Sequence, residues 1–263
     1  MGWDAMRRGL AAGLVMCLVA GVLPAAAAAQ EPVDLELVLT VDASASVTGG
    51  AMEFQLRGHA AALRDPRVAA AATSGPNGAI AVTLAGFAGP GAFDVLVPWT
   101  RIADAQDAAA FAERVEASLR PVRAGNTALG SAIDAAVLLF GDDGFEGGRK
   151  VVDLVANGFS NAGPPVEDAR DRAVAAGVTV NGLAILDEYA WLDAYFSESV
   201  IGGPGAFVRT AENRDSFADA ILYKLIDEIV EGPADVPGPI LAMAGSGGQG
   251  PGGWGVGGQG GPR

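Results

Sequence analysis

Asp42, Ser44 and Ser46 stand at alternate positions directly after residues 36–41, a run rich in leucine and valine. Gly49 and Gly50 follow, and then a helical pattern, so one carboxylate and two hydroxyls line a loop between a strand and a helix. Hard divalent cations take such oxygens; Mg²⁺ prefers octahedral coordination at roughly 2.0–2.1 Å and keeps several waters. One anion beside two neutral hydroxyls would leave the cation electron-poor and ready for a carboxylate from outside. That is the chemistry of adhesion more than of catalysis. Asp and Ser are also turn formers at strand ends, so these residues alone leave both readings open.

Catalytic alternatives lack their carriers. A hydrolytic nucleophile needs a base within hydrogen-bond reach, and His59, the single histidine, reads as a helix-face residue inside a helical pattern. Neither G-x-S-x-G nor H-E-x-x-H occurs, and no P-loop follows any strand. Gly202-Gly203-Pro204-Gly205 leads into a strand and reads as a turn. Asp142, Asp143 and Glu146 lack the spacing of an EF-hand and read as a solvated loop. The chain is not expected to be an enzyme.

The elements that must position the oxygen ligands follow from periodicity. Strands are expected over residues 35–41, 79–87, 93–99, 150–156, 178–186 and 206–210. Helices are expected over 51–64 (stopped by Pro66), 104–119, 127–140, 166–176, 187–195 and 214–230. This alternation predicts a three-layer α/β/α sandwich around a mainly parallel sheet. The short link Gly89-Pro90-Gly91 suits an antiparallel hairpin, and Pro98 places its second strand at the edge. Right-handed crossovers put the carboxyl ends of the parallel strands on one rim, where ligands of open α/β sheets gather. Besides Asp42, Ser44 and Ser46, two segments should reach that rim. One is residues 124–133, around Thr127; the other is 152–158, a strand ending in Asn157-Gly158. Taken singly, Thr127 would be a helix N-cap and Asn157 a turn former. Asp153, four residues upstream of Asn157, reads as a buried hydrogen-bonded carboxylate. Tyr189, Trp191, Tyr195 and Phe196 lie at near-helical spacing and read as core packing, with part of the cluster able to border the rim.

The ends of the chain differ from its middle. Residues 1–29 read as a secretory leader, with Arg7 and Arg8, an apolar segment over 10–23 and Ala27-Ala28-Ala29 as a cleavage site. The apolar segment is short for a membrane span, which needs about 20 residues, and no membrane span is expected in the mature chain. Cys17, the single cysteine, lies inside that leader, so no disulfide, thiolate metal site or cysteine nucleophile would survive cleavage. One domain is expected over 30–231. Residues 232–263 are rich in Gly and Pro and are expected to be a disordered tail. A formal net charge of −14 repels phosphate backbones and argues against a nucleic-acid partner.

Taken together, Asp42-x-Ser44-x-Ser46, Thr127 within G-N-T-A-L-G-S-A-I, and a hydrophobic strand ending in N-G resemble the von Willebrand factor type A domain and its metal-ion-dependent adhesion site. Residues 192–207 and 97–102 resemble a bacterial family of exported von Willebrand A-like proteins of unassigned function. The likeness covers about residues 33–231. It implies that Asp42, Ser44 and Ser46 supply the first metal loop and Thr127 the second, with Mg²⁺, or Mn²⁺ or Ca²⁺, as the cation. Asn157 stands where the family usually has aspartate, and it would offer a carbonyl oxygen or orient a water without adding charge. The implied partner is a protein that donates Glu or Asp to the metal, and the implied setting is the bacterial periplasm or exterior. The alternative is an envelope scaffold with a degenerate, metal-free site.

Overall fold

The computed structural model describes residues 29–44, 49–119, 125–141 and 143–230. The leader (apart from Ala29), Ser46 and the expected tail lie outside the described residues. In chain order the elements are β1 (Glu31–Asp42), α1 (Gly49–Leu63), α2 (Pro66–Ala72), β2 (Ile80–Phe87), β3 (Phe93–Ile102), α3 (Ala105–Ala117) and α4 (Leu129–Val137). They continue with β4 (Phe145–Ala156), α5 (Val166–Ala175), β5 (Val178–Ile185), α6 (Leu192–Tyr195), β6 (Val208–Ala211) and α7 (Arg214–Ile229).

The six strands form one sheet in the order β3-β2-β1-β4-β5-β6. Every pairing is parallel except β2–β3, so the antiparallel strand is at the edge, as the short hairpin link and Pro98 require. The β2–β3 register shifts between Val82 and Leu84, opposite the stretch that carries Pro98. Proline lacks the N–H that a regular ladder needs, and a bulge on an edge strand accommodates it.

β1 and β2 are buried almost throughout because helices cover both faces of the sheet. Leu35, Leu37, Leu39 and Val41 of β1 face one core layer with α1, α3 and α7, represented by Met52, Phe111 and Phe217. Val38, on the alternate face, packs in the second layer with Leu129, Ile133, Val166 and Phe196. Alternation puts Asp42 on this second face, the one covered by α4 and α5.

The helix expected over 127–140 is shorter, at Leu129–Val137, and the largest departures from the sequence expectation are at α2 and α6. Pro66 does end α1, but it also starts α2, because proline's missing N–H and fixed φ suit the first helical position. Asp65 caps that helix, its carboxylate accepting from the Arg67 N–H at 2.9 Å. The helix expected over 187–195 begins only at Leu192, and it continues from Phe196 to Val200 as a π-helical turn. The wider turn seats Phe196 against Gly182 of β5, where a side chain at 182 would collide with the ring.

Candidate functional site

The carboxyl end of β1 delivers Asp42 and Ser44 to the sheet rim, and both are buried. The Ser44 N–H donates to Asp42 Oδ1 at 2.8 Å, closing a tight turn at the strand end. Ala43 is anchored in turn to β2, its N–H donating to the Phe87 carbonyl at 2.7 Å. The chain therefore has little freedom where it leaves the sheet.

Thr127 reaches the same point from the other side. Its hydroxyl donates to the Ser44 hydroxyl at 3.1 Å, across 83 positions of sequence. It does not cap α4; the residue before that helix is Ala128, which makes no side-chain cap. The helix entrance is held from the loop after β4 instead. The Thr127 N–H donates to Asn161 Oδ1 at 2.9 Å, the Asn161 N–H returns to the Thr127 carbonyl at 2.9 Å, and the Leu129 N–H donates to Ser160 Oγ at 3.2 Å. With the backbone satisfied by Ser160 and Asn161, the Thr127 hydroxyl turns toward Ser44. Gly130 permits the approach, since a Cβ there would meet the Pro164 carbonyl oxygen at 2.6 Å.

Asn157 follows the last residue of β4. Val41 pairs with Val155, so Asn157 sits just beyond the level of Asp42 on the adjacent strand. The structure thus gathers Asp42, Ser44, Thr127 and Asn157 on one rim. Two buried oxygens there, Asp42 Oδ2 and Asn157 Oδ1, find no hydrogen-bond partner among the described residues. Buried polar atoms rarely stay unsatisfied without a water, an ion or a role. Burial pushes the Asp42 carboxyl up to about 6, opposed by hydrogen bonds from the Ser44 amide and hydroxyl. The donor set is one carboxylate, hydroxyls and an amide oxygen, all hard. It suits Mg²⁺ better than a soft metal. Among the described residues no group of three His, Cys, Asp or Glu side chains could hold a metal, so any cation here would rely on Asp42 and neutral oxygens.

A family model described as "Protein of unknown function (DUF1194)" matches residues 32–233. The chain belongs to that family. No curated protein matches it. Solved structures show that its fold is the von Willebrand factor type A domain. Proximal thread matrix protein 1 from the mussel byssus aligns at TM-score 0.58 and 18% identity over 77% of this chain and 50% of its own. A form of that protein with a zinc-occupied MIDAS motif aligns at 0.53 and 18% over 76% and 49%. The vWF domain of the pilus tip protein Mfa5 from Porphyromonas gingivalis aligns at 0.54 and 10% over 78% and 98%. A von Willebrand factor type A protein from Catenulispora acidiphila aligns at 0.51 and 17% over 75% and 43%. This DUF1194 chain thus spans about half the length of the mussel protein.

Away from the rim, the DUF1194 chain buries a second polar group under α1 and α7. Lys224 Nζ lies 2.6 Å from Asp153 Oδ1 and also contacts Glu228, all three fully buried. Asn181 Nδ2 donates to Glu228 Oε1 at 3.2 Å. His59, on the facing side of α1, shares Nδ1 with the Gln55 carbonyl at 2.8 Å, and burial lowers its pKa. His59 is therefore a core residue on the sheet face opposite Asp42. The expected buried role of Asp153 is what the structure has, with a lysine as partner. No described helix is long and apolar enough to cross a membrane.

Ser160 and Asn161, which hold the entrance of α4, lie outside the motif in the sequence. Their signal was a short polar pair directly after Asn157-Gly158-Phe159, legible only once the loop is known to fold back onto α4.

Proposed function

We propose that the chain is an exported protein-binding module that engages a carboxylate of its partner through a divalent cation. Asp42, Ser44, Ser46 and Thr127 would hold the cation, Mg²⁺ fitting best, and Asn157 would contribute a carbonyl oxygen or orient a water. When bound, the cation would supply an electrophilic point for a Glu or Asp of the partner. One observation carries the reading: the Thr127 and Ser44 hydroxyls meet at 3.1 Å beside the buried Asp42, whose Oδ2 has no hydrogen-bond partner among the described residues. The zinc-occupied MIDAS motif of the mussel protein supports it, at the level of the fold. Residues 1–29 would direct export to the periplasm or exterior, leaving a domain over 30–231 and a tail from 232. No step of this reading asks for catalysis.

A metal-free envelope scaffold is the second reading. Asn157 favours it, because Asp42 is then the single carboxylate among Asp42, Ser44, Ser46, Thr127 and Asn157. Thermal melts separate the two. A cation bound only by the native state raises stability by RT ln(1 + [L]/Kd). Melting should move up with Mg²⁺ and fall back with chelator, and Asp42→Ala should abolish the difference. A shift that persists in Asp42→Ala would mean diffuse cation binding by an acidic surface, and no shift in the wild type would favour the scaffold.

A further inference from the structure

The loop that holds Thr127 continues directly into an aromatic platform. Phe159 is two residues past Asn157, within roughly 7 Å of chain. Its ring lies 5.5 Å from that of Tyr189 and 5.6 Å from that of Trp191, and Tyr189 and Trp191 are 5.4 Å apart. Tyr195 packs edge-on against Trp191 at 6.5 Å, and its hydroxyl accepts the Ser160 N–H at 3.3 Å. Ser160 is the residue that holds the entrance of α4, so platform and rim share one hydrogen-bonded loop. The sequence pattern suggested core packing, and Phe196 does sit in the core. Trp191 does not: it remains 50% exposed, at the top of a stack of rings that fixes its orientation.

The segment that carries Tyr189, Trp191 and Tyr195 has charges of one sign. Between 187 and 198 stand Asp187, Glu188, Asp193 and Glu198, with no Lys, Arg or His. The Glu188 carboxylate hydrogen-bonds the Tyr189 hydroxyl and raises its pKa. Elsewhere the protein covers an exposed ring with its own cation, as Arg67 lies 5.6 Å from the ring centre of Tyr223, itself 45% exposed. No cation among the described residues lies over Phe159, Tyr189, Trp191 or Tyr195. An indole face is the best aromatic acceptor for a guanidinium or ammonium, and surrounding carboxylates strengthen that preference.

We infer that Trp191, backed by Phe159 and Tyr189, is a subsite for a cationic side chain of the protein partner, arginine fitting best, next to the rim that takes its carboxylate. The inference rests on the carboxylate-binding reading above and gives the partner a second chemical requirement. The partner segment would carry an acidic and a basic residue on one extended stretch. The path from Asn157 through Phe159 to Trp191 sets their separation at roughly three to five residues, at ~3.3 Å each. Such a segment would satisfy both the metal rim and the acidic surface beside it, which repels a purely acidic partner.

Labelled Gly/Ser peptides test this without the natural partner. One carries Glu and Arg four residues apart, a second Glu and Gln, a third Glu alone, and each is titrated in Mg²⁺ by fluorescence anisotropy. The Glu–Arg peptide should bind about tenfold tighter than the Glu–Gln peptide. Trp191→Ala should erase that ratio while leaving the Glu-only affinity unchanged, and Trp191→Phe should retain most of it. Equal affinities of the Glu–Arg and Glu–Gln peptides for the wild type would overturn the inference. So would an arginine gain that survives Trp191→Ala, which would assign it to diffuse attraction by the acidic surface. The carboxylate reading fails separately, if the Glu-only affinity ignores Mg²⁺ and Asp42→Ala; the arginine ratio still reports on Trp191.

Discussion

Asn157 is the residue on which affinity would turn. An amide in place of a carboxylate removes one of two charges facing a dication, and Coulomb attraction at a rim of intermediate dielectric is worth a few kcal/mol. Asn157→Asp should therefore tighten Mg²⁺ binding by about tenfold or more in calorimetry; unchanged affinity would mean that Asn157 faces no cation. Asp42 adds a pH dependence. Burial holds its carboxyl near 6, well above the usual carboxylate range, so protons compete with the cation below that pH. Mg²⁺ affinity should be flat above about pH 7 and fall by about tenfold per pH unit below 6, and the drop should disappear with Asp42→Asn. The meeting of Asp42, Ser44 and Thr127 was legible because residue type and spacing mark a strand end and a helix entrance. The roles of Ser160 and Asn161 were not legible. Their contacts to Leu129 and Thr127 span 31 and 34 positions and depend on how the loop after β4 folds back.

Elements were most legible where periodicity decides them. The central strands read as unbroken apolar runs because helices bury both of their faces, and Pro98 marked the edge. α2 is not marked by Pro66 alone, which also terminates α1; Asp65 before it is the capping residue that makes it a start. α6 was displaced because the near-helical aromatic spacing over 189–196 reflects a stack on the rim, with Trp191 outside the helix. Between α7 and the sheet, the Lys224–Asp153–Glu228 group ties two layers by charge. Removing the cation would leave Asp153 and Glu228 buried side by side without their counter-charge. Lys224→Met should destabilise the fold by about 3–5 kcal/mol in urea unfolding. The rim geometry would survive at native conditions, since no described contact joins Lys224 to Thr127 or Ser44. A cost below about 1 kcal/mol would mean the group is solvated.

The whole molecule carries a formal net charge of −14, and burial shifts two carboxyl groups besides Asp42 toward the protonated form. Burial, with Asp143 alongside, pushes Glu36 up to about 7, and burial next to Asp153 pushes Glu228 up to about 8. A folded-state pKa raised above the unfolded value near 4.5 means the native form binds more protons. Stability from these groups is full below about pH 4.5 and is lost as pH rises through 7 and 8. In chelator, the urea midpoint should fall from pH 5 to pH 8 and level off above; a midpoint that rises over this range would contradict the burial of both groups. The most direct test of the central claim is Mn²⁺ titration of the wild type followed by electron paramagnetic resonance. Binding of one Mn²⁺ per chain, displaced by Mg²⁺ and lost in both Asp42→Ala and Thr127→Ala, is the predicted result. Equal Mn²⁺ uptake by the wild type and both variants would contradict it.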